Sequence, residues 1–285
     1  MKNIPIRKIK ATQKEPTASQ SFCIRDIGVL LSGKDMLQEL HRHDFFYILA
    51  LKKGKGVHEI DFIPYRVRDH SIFFMRPGQV HQHTLKAGSS GYLIEFKTDF
   101  YPLQDNVFNQ QLRKVSGRNL YEFSAPEFKA LSFALTHIFE EYMRKQEGYL
   151  EVIKANLAIL FIELSRRQGR TAVSNVSRYT QERLDKFLEL LEKHVAIHKQ
   201  PTRYAEMLNL SLYQLNAITK ETLGKTCSEV INEHIVLESK RYLLATSNQI
   251  GQIGNQLGYD DVSYFIRFFK KQTGHSPEVF RNNFK

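Results

Sequence analysis

The sequence predicts an α+β protein of two domains, and three observations carry that prediction. Residues 21 to about 100 alternate short β-rich segments with turn clusters. From about residue 124 the apolar spacing becomes that of helices. The last hundred or so residues contain an internal repeat of helical segments.

The first twenty residues are polar and lysine-rich and read as a flexible N-terminus, with no apolar stretch that would make a signal peptide or an anchor. Phe45 to Leu51 is aromatic and β-rich and runs into a turn cluster, Lys52 to Gly56. Further short segments at 57–63, 66–68, 71–75 and 91–97 are punctuated by Pro64, Pro77-Gly78 and Gly88 to Gly91. Such spacing predicts a small sandwich or barrel, with Phe45, Phe46, Tyr47, Phe62 and Phe73 making its interior apolar. Ser124 and Glu127 have capping-box spacing with Pro126 in the first turn, which predicts a helix to about Lys145. A second helix, at about 149–167, carries the stripe Leu150, Ile153, Leu157, Leu160 and Leu164. A stripe so apolar on a small domain predicts a homodimer through this helix. Together 21–168 form a sensor and dimerisation domain, and 169–177, without periodicity and rich in small polar residues, form a linker.

From 178 to 285 the reading is all-α. Leu184, Phe187, Leu188, Leu191 and Val195 form one stripe that Pro201 ends. Ser211 with Gln214 and Thr226 with Glu229 have capping-box spacing, Asp260 or Asp261 caps another helix, and Ser276-Pro277 opens the last. These signals repeat. Tyr204-Ala205 matches Ile253-Gly254, and Ser211 matches Asp260. Leu215, Ile218, Lys220, Gly224 and Thr226 then match Phe265, Phe268, Lys270, Gly274 and Ser276, with an offset of 49 before the turn and 50 after it. Each copy is a short helix, a tight turn and a longer helix, the helix-turn-helix pattern. Ala205 and Gly254 stand where two helices approach closely. Leu215, Ile218, Phe265 and Phe268 supply the buried face, and the opposite face is left to enter a DNA major groove, which admits one helix. A long helix from about Cys227 to Leu244 joins the copies.

The stretch Ile250 to Arg281 closely resembles the signature of the AraC/XylS family of transcription regulators, and the resemblance covers about 178–285. It implies that Tyr213, Gln214, Asn216 and Ala217 face bases from the first recognition helix, and Val262, Ser263, Ile266 and Arg267 from the second. Gln and Asn suit adenine edges and Arg suits guanine, while Lys220, Lys270 and Lys271 suit phosphate. The family often has Arg where Ala217 stands, and Ala where Gly254 stands. Two recognition helices on one linker helix are expected to enter the groove about 10 bp apart, so that one protomer reads a direct, asymmetric site.

In the first half, His41-Arg42-His43-Asp44-Phe45 and Pro77-Gly78-Gln79-Val80-His81-Gln82-His83 resemble the two patches of a cupin barrel, which regulators of this family commonly carry as a sensor. The resemblance implies an effector site at His41, His43, Tyr47, His81 and His83. Metal-binding cupins use three His and a Glu, and Tyr47 falls at the Glu position. Three imidazoles can hold zinc or iron, hydrogen-bond an organic effector, or simply close the barrel mouth. The expectation is no bound cofactor or metal and no enzyme, since no acid/base pair or nucleophile constellation appears. The runner-up is a cupin-type metal-binding protein or enzyme whose helical domain binds another partner.

The totals agree without deciding. The net charge of +11 favours a polyanionic partner, yet residues 176–285 hold 15 basic against 12 acidic residues, so the charge is not concentrated in the helical domain. Two cysteines, Cys23 and Cys227, without zinc spacing suit a reducing cytoplasm, and no run suits a membrane span. The expected partners are promoter or operator double-stranded DNA, a small-molecule effector, a second copy of the chain and RNA polymerase.

Overall fold

The computed structural model describes residues 5–9, 21–100, 106–169 and 178–284. They fall into two compact units, one within Pro5–Val173 and one within Ser174–Lys285. Most of the segment read as a linker lies outside the described residues, apart from Gly169.

The first unit is two five-stranded sheets and a layer of helices. One sheet has the order β1-β3-β8-β5-β6, with β1 Ile6–Arg7, β3 Met36–His43, β5 Gly56–Ile60, β6 Ile63–Val67 and β8 Val80–Leu85. The other has the order β10-β7-β4-β9-β2, with β2 Phe22–Asp26, β4 Phe46–Lys53, β7 Ser71–Met75, β9 Ser90–Phe96 and β10 Leu120–Glu122. Among the described residues the sheets do not close into one ring, so the cupin-like unit is an open double sheet. Within the stretch read as a flexible N-terminus, β1 pairs with Arg42 and His43 of β3. Strand β8 follows Pro77-Gly78 and is polar at all four positions between Val80 and Leu85, which hid it from the apolar-run reading.

Helices α1 Ile27–Leu31, α2 Asn106–Ser116, α3 Ala125–Arg144 and α4 Tyr149–Gly169 complete the unit. Ser124 and Glu127 form the expected capping box of α3. Strand β4 is apolar on both faces because it is central and covered twice. Phe46, Ile48 and Ala50 join a core with residues of α2, α3 and α4. Tyr47, Leu49 and Leu51 join a second core with Phe45, Phe73, Met75 and Leu85 between the sheets. Phe46 thus belongs to the helix side, and Phe62 sits half-buried in the β5–β6 turn with φ 67°. The α4 stripe also differs from expectation. Ile153, Leu157, Leu160 and Leu164 are fully buried in their own unit's core, so that stripe is not free for a second chain. The sheet below needed covering, and the stripe covers it.

The second unit has seven helices among its described residues: α5 Arg178–His194, α6 Pro201–Met207, α7 Leu212–Leu223, α8 Cys227–Ala245, α9 Ile250–Gln256, α10 Val262–Thr273 and α11 Pro277–Phe284. The predicted stripe of α5, Leu184, Phe187, Leu191 and Val195, is buried, and one core unites it with residues of every other helix. Ser211 and Thr226 form capping boxes on α7 and α8. Asp261 rather than Asp260 caps α10, accepting from the Ser263 N–H at 2.7 Å. Arg281 of α11 donates to the carbonyls of Leu243 and Asn248, tying the chain end to the junction between α8 and α9.

Candidate functional site

Two sites emerge, one in each unit. The first is the pair of helix-turn-helix copies, α6–α7 and α9–α10. Their turns are built alike. Leu210 N–H donates to the Ala205 carbonyl and Tyr259 N–H to the Gly254 carbonyl, both at 2.9 Å. The residue before each donor, Asn209 or Gly258, takes a left-handed conformation. A Cβ on Gly254 would lie 3.3 Å from the Phe265 ring, so the close approach inferred from small side chains is real. On α10 the fully buried residues are Phe265 and Phe269, with Phe268 only partly buried; on α7 they are Leu215, Ile218 and Thr219.

Opposite these cores, α7 exposes Tyr213, Gln214, Ala217 and Lys220, and α10 exposes Ser263, Tyr264, Arg267, Lys270 and Lys271. Tyr213 is 83% exposed. Arg267 reaches Asp261 only at 3.7 Å and both side chains are open to water, so this pair is weak and leaves the guanidinium available. Three expected base-facing residues are half-buried rather than exposed. Asn216 is half-buried, and its amide oxygen accepts the Cys227 N–H at 2.9 Å, closing the start of α8. Val262 and Ile266 are half-buried on the flank of α10. Gln214 is exposed, but its amide oxygen accepts the Ser211 N–H at 2.8 Å as the return arm of the capping box. Tyr264, more than half exposed and 5.9 Å from the Tyr259 ring, was not singled out from sequence, although its place beside Ser263 was the available signal.

The second site is a cluster of histidines between the sheets. His41 and His43 lie on β3, His81 and His83 on β8 and His58 on β5, three adjacent strands. The register sets His41 opposite His81 and His58 opposite His83. Period-two alternation then turns all five to one face, where each is buried. His43 Nε2 lies 2.8 Å and His41 Nε2 3.1 Å from His81 Nε2. His58 Nε2 lies 2.8 Å from His81 Nδ1. The opposite sheet supplies aromatic rings: Tyr47 stacks on His43 at 5.3 Å and Phe73 packs on His58 at 4.8 Å. His58 was missed from sequence; its partner His83 is remote in the chain, and only alternation with Ile60 on a short strand pointed inward.

Burial keeps these rings neutral. Desolvation lowers His41 to about 4 and His43 and His83 to about 3, and it takes His58 and His81 well below the ordinary imidazole value. Burial raises the Tyr47 hydroxyl, which stays protonated and supplies no anionic ligand where a cupin glutamate would stand. The His41 Nδ1 faces the Glu39 carbonyl at 2.5 Å. A carbonyl only accepts, so Nδ1 carries the proton and Nε2 presents its lone pair to the cluster.

Comparison with known proteins matches one family model within each unit. The model of the AraC-like ligand binding domain matches residues 33–101, and that of a helix-turn-helix domain matches 204–283. The chain belongs to the AraC family of transcription regulators. It is a DNA-binding transcription regulator that joins a ligand-binding domain to a helix-turn-helix domain. The HTH-type transcriptional activator RhaS of Salmonella typhimurium is 22% identical over 260 residues, 85% of this chain and 86% of that protein. Among solved structures, Vibrio cholerae ToxT with bound unsaturated fatty acid is 15% identical over 95% of this chain and 97% of that one, with a TM-score of 0.44. The C-terminal domain of the response regulator AraT from Geobacillus stearothermophilus is 27% identical over 39% of this chain and 88% of that one, with a TM-score of 0.34. No described helix is long and apolar enough to cross a membrane.

Proposed function

We propose that this regulator acts in the cytoplasm as a non-catalytic, effector-responsive activator that reads promoter or operator DNA through α7 and α10. The observation that carries this is the pair of like-built turns, each placing an exposed helix face opposite a buried one. Tyr213, Ala217, Ser263, Tyr264 and Arg267 are the base-facing set, and Lys220, Lys270 and Lys271 meet phosphate. Arg267 has the bidentate donors for guanine. The effector site is the buried interior at His41, His43, Tyr47, His81 and His83, with His58 added. Activation implies contact with RNA polymerase, as the activator named among the relatives suggests.

The domain limits follow the same reading: a sensor over 21–168, a linker at 169–177 and the DNA-binding domain from 178. A second copy of the chain is the partner expected at the outer face of α4, where Ala155, Ile159 and Ile162 lie exposed one turn apart. Sedimentation of wild type and Ile159→Glu tests that arrangement: a dimer converted to monomer is the expected result. For the regulatory function itself, sequencing of DNA that co-precipitates with the protein is expected to return one recurrent asymmetric site. Fragments without any common site would overturn specific readout.

A further inference from the structure

The histidine cluster contains a second triad that DNA readout does not use and that the family resemblance does not mark for metal. One nitrogen from each of His58, His81 and His83 lies within 4.8 Å of the others, as holds also for His41, His43 and His81. His81 belongs to both triads but offers a different ring nitrogen to each. Its Nε2 faces His41 and His43, and its Nδ1 faces His58. His58 and His83 stand outside the positions that the resemblance marks for metal.

In the first triad one buried nitrogen, His43 Nδ1, has no hydrogen-bond partner among the described residues; the second triad holds three such atoms. His58 Nδ1 and both nitrogens of His83 are buried without a hydrogen-bond partner among the described residues. Buried polar atoms are paired in more than about nine cases of ten, and an exception calls for a water or an ion. Leaving such a group unpaired costs about 1–3 kcal/mol. These atoms sit on two rings directly opposite across β5 and β8, and an ion, which takes one nitrogen of each ring, relieves at most one on each. The chemistry of the donors selects what relieves them. Neutral imidazoles carry lone pairs but no charge, which suits a borderline transition-metal cation and suits calcium or magnesium poorly. An organic ligand fits the geometry less well. Neighbouring imidazole centroids lie 4.3–5.7 Å apart, in mutual contact, so a ring would have to pry the strands from the facing aromatics. An ion needs only the space between nitrogens. Zinc–imidazole bonds of about 2.0–2.1 Å set tetrahedral donors about 3.3 Å apart, a spacing that falls between the 2.8 Å of His58 Nε2 to His81 Nδ1 and the 4.8 Å that bounds the triad.

We propose that His58, His81 and His83 bind a divalent transition-metal ion of the zinc, cobalt or nickel class. The second set of imidazoles then acts as support. His81 can bind through Nδ1 while its Nε2–H donates to the His41 lone pair, fixing the ring as metal-ligating histidines are usually fixed. The identity of this ion as effector rests on reading the histidine-lined interior as the effector site, so ion binding and DNA binding are measured separately.

The test uses the full chain purified without a histidine tag, stripped with chelator and dialysed against Zn²⁺ or Co²⁺. Wild type is expected to retain the ion at micromolar free metal, to melt higher with it, and to show the visible absorption of nitrogen-bound Co²⁺. His58→Gln and His83→Gln are each expected to weaken binding more than about 100-fold, beyond what loss of a supporting partner does; His41→Gln and His43→Gln are expected to weaken it less. His83→Leu removes the unpaired nitrogens, so its metal-free form is expected to melt no lower than wild type and to show no metal-dependent rise. Failure of wild type to retain any ion overturns the proposal, whatever the variants do. So does retention that survives His83→Gln but is lost in His41→Gln and His43→Gln, which would put the ion in the other triad. Ion retention with specific DNA affinity unchanged by Zn²⁺ supports the site and overturns the effector role alone.

Discussion

In the first helix-turn-helix copy the turn residue is Asn209, exposed, with φ 54°; in the second it is Gly258, with φ 73°. The first copy caps its recognition helix with a full capping box, Ser211 and Gln214; the second uses Asp261 alone. The first buries Leu215, Ile218 and Thr219, the second Phe265 and Phe269. The backbone problem is the same and the side-chain answers differ. On α7, Gln214 and Asn216 have polar atoms engaged in local structure. On α10, Arg267 has only a long, exposed ion pair. The first copy spends its amides on shape, and the second keeps a cation for the ligand. Sequence specificity is therefore expected to be concentrated in the second copy.

The largest expected effect separates the two turns. A Cβ on Gly258 would stand 1.6 Å from the Ala196 carbonyl oxygen, in a backbone conformation that side chains disfavour. That carbonyl belongs to the α5–α6 connection, which also donates Lys199 Nζ to the Gly258 carbonyl at 2.6 Å. Gly258→Ala is expected to cost more than about 3 kcal/mol, through both overpacking and strain. Asn209→Gly, at the matching place in the first copy, is expected to change stability by less than about 1 kcal/mol. Chemical denaturation of both variants checks this, and equal losses would end the claim that the second turn is the tighter one.

Next comes the contrast in readout. Arg267→Ala is expected to cost about 1–3 kcal/mol on the specific site and to relax preference at one base pair, with no loss of fold. An equal loss on specific and random DNA would make Arg267 a phosphate contact. Ala217→Arg, which restores a guanidinium to the first copy, is expected to add a base preference that wild type lacks.

A smaller effect concerns Asn216. Removing its amide orphans the buried Cys227 N–H, so Asn216→Ala is expected to cost about 1–2 kcal/mol of stability while leaving base preference unchanged. A changed preference at constant stability would return Asn216 to the base-reading set.

What the sequence disclosed follows from how local each signal is. Caps, the α5 stripe, the repeat and its extra turn residue depend on neighbours within a few positions, and all were legible. The His41, His43 and His81 motif was legible through its resemblance. His58 was not, because its role arises from strand pairing with His83 across a sheet. The bond of Asn216 was hidden for a similar reason: an exposed-face position on a helical wheel meets the start of the next helix. Periodicity correctly marked the α4 stripe as apolar but did not say which surface it would cover. The sheet of its own unit took it. Phe268, the match of Ile218, is only partly buried, while Phe269, the match of the buried Thr219, is fully buried.

The smallest expected effect compares Lys220 with Lys270, which hold matching positions near the C-terminal ends of the two recognition helices and are both exposed. A lysine is a point charge with rotatable donors, so against phosphate it positions the helix without choosing a sequence. Each neutralised phosphate releases condensed counterion, and log affinity falls with log salt by about 0.9 per contact. Lys270→Ala is therefore expected to weaken specific and random DNA alike and to flatten the salt slope by about 1. If both copies lie on the duplex at once, Lys220→Ala gives the same change, and the double variant flattens the slope by about 2, since separate phosphates add. If only the second copy engages, Lys220→Ala leaves the slope unchanged while Lys270→Ala still lowers it. Salt titrations of the three variants thus decide whether the first copy touches DNA, independently of whether it reads a base.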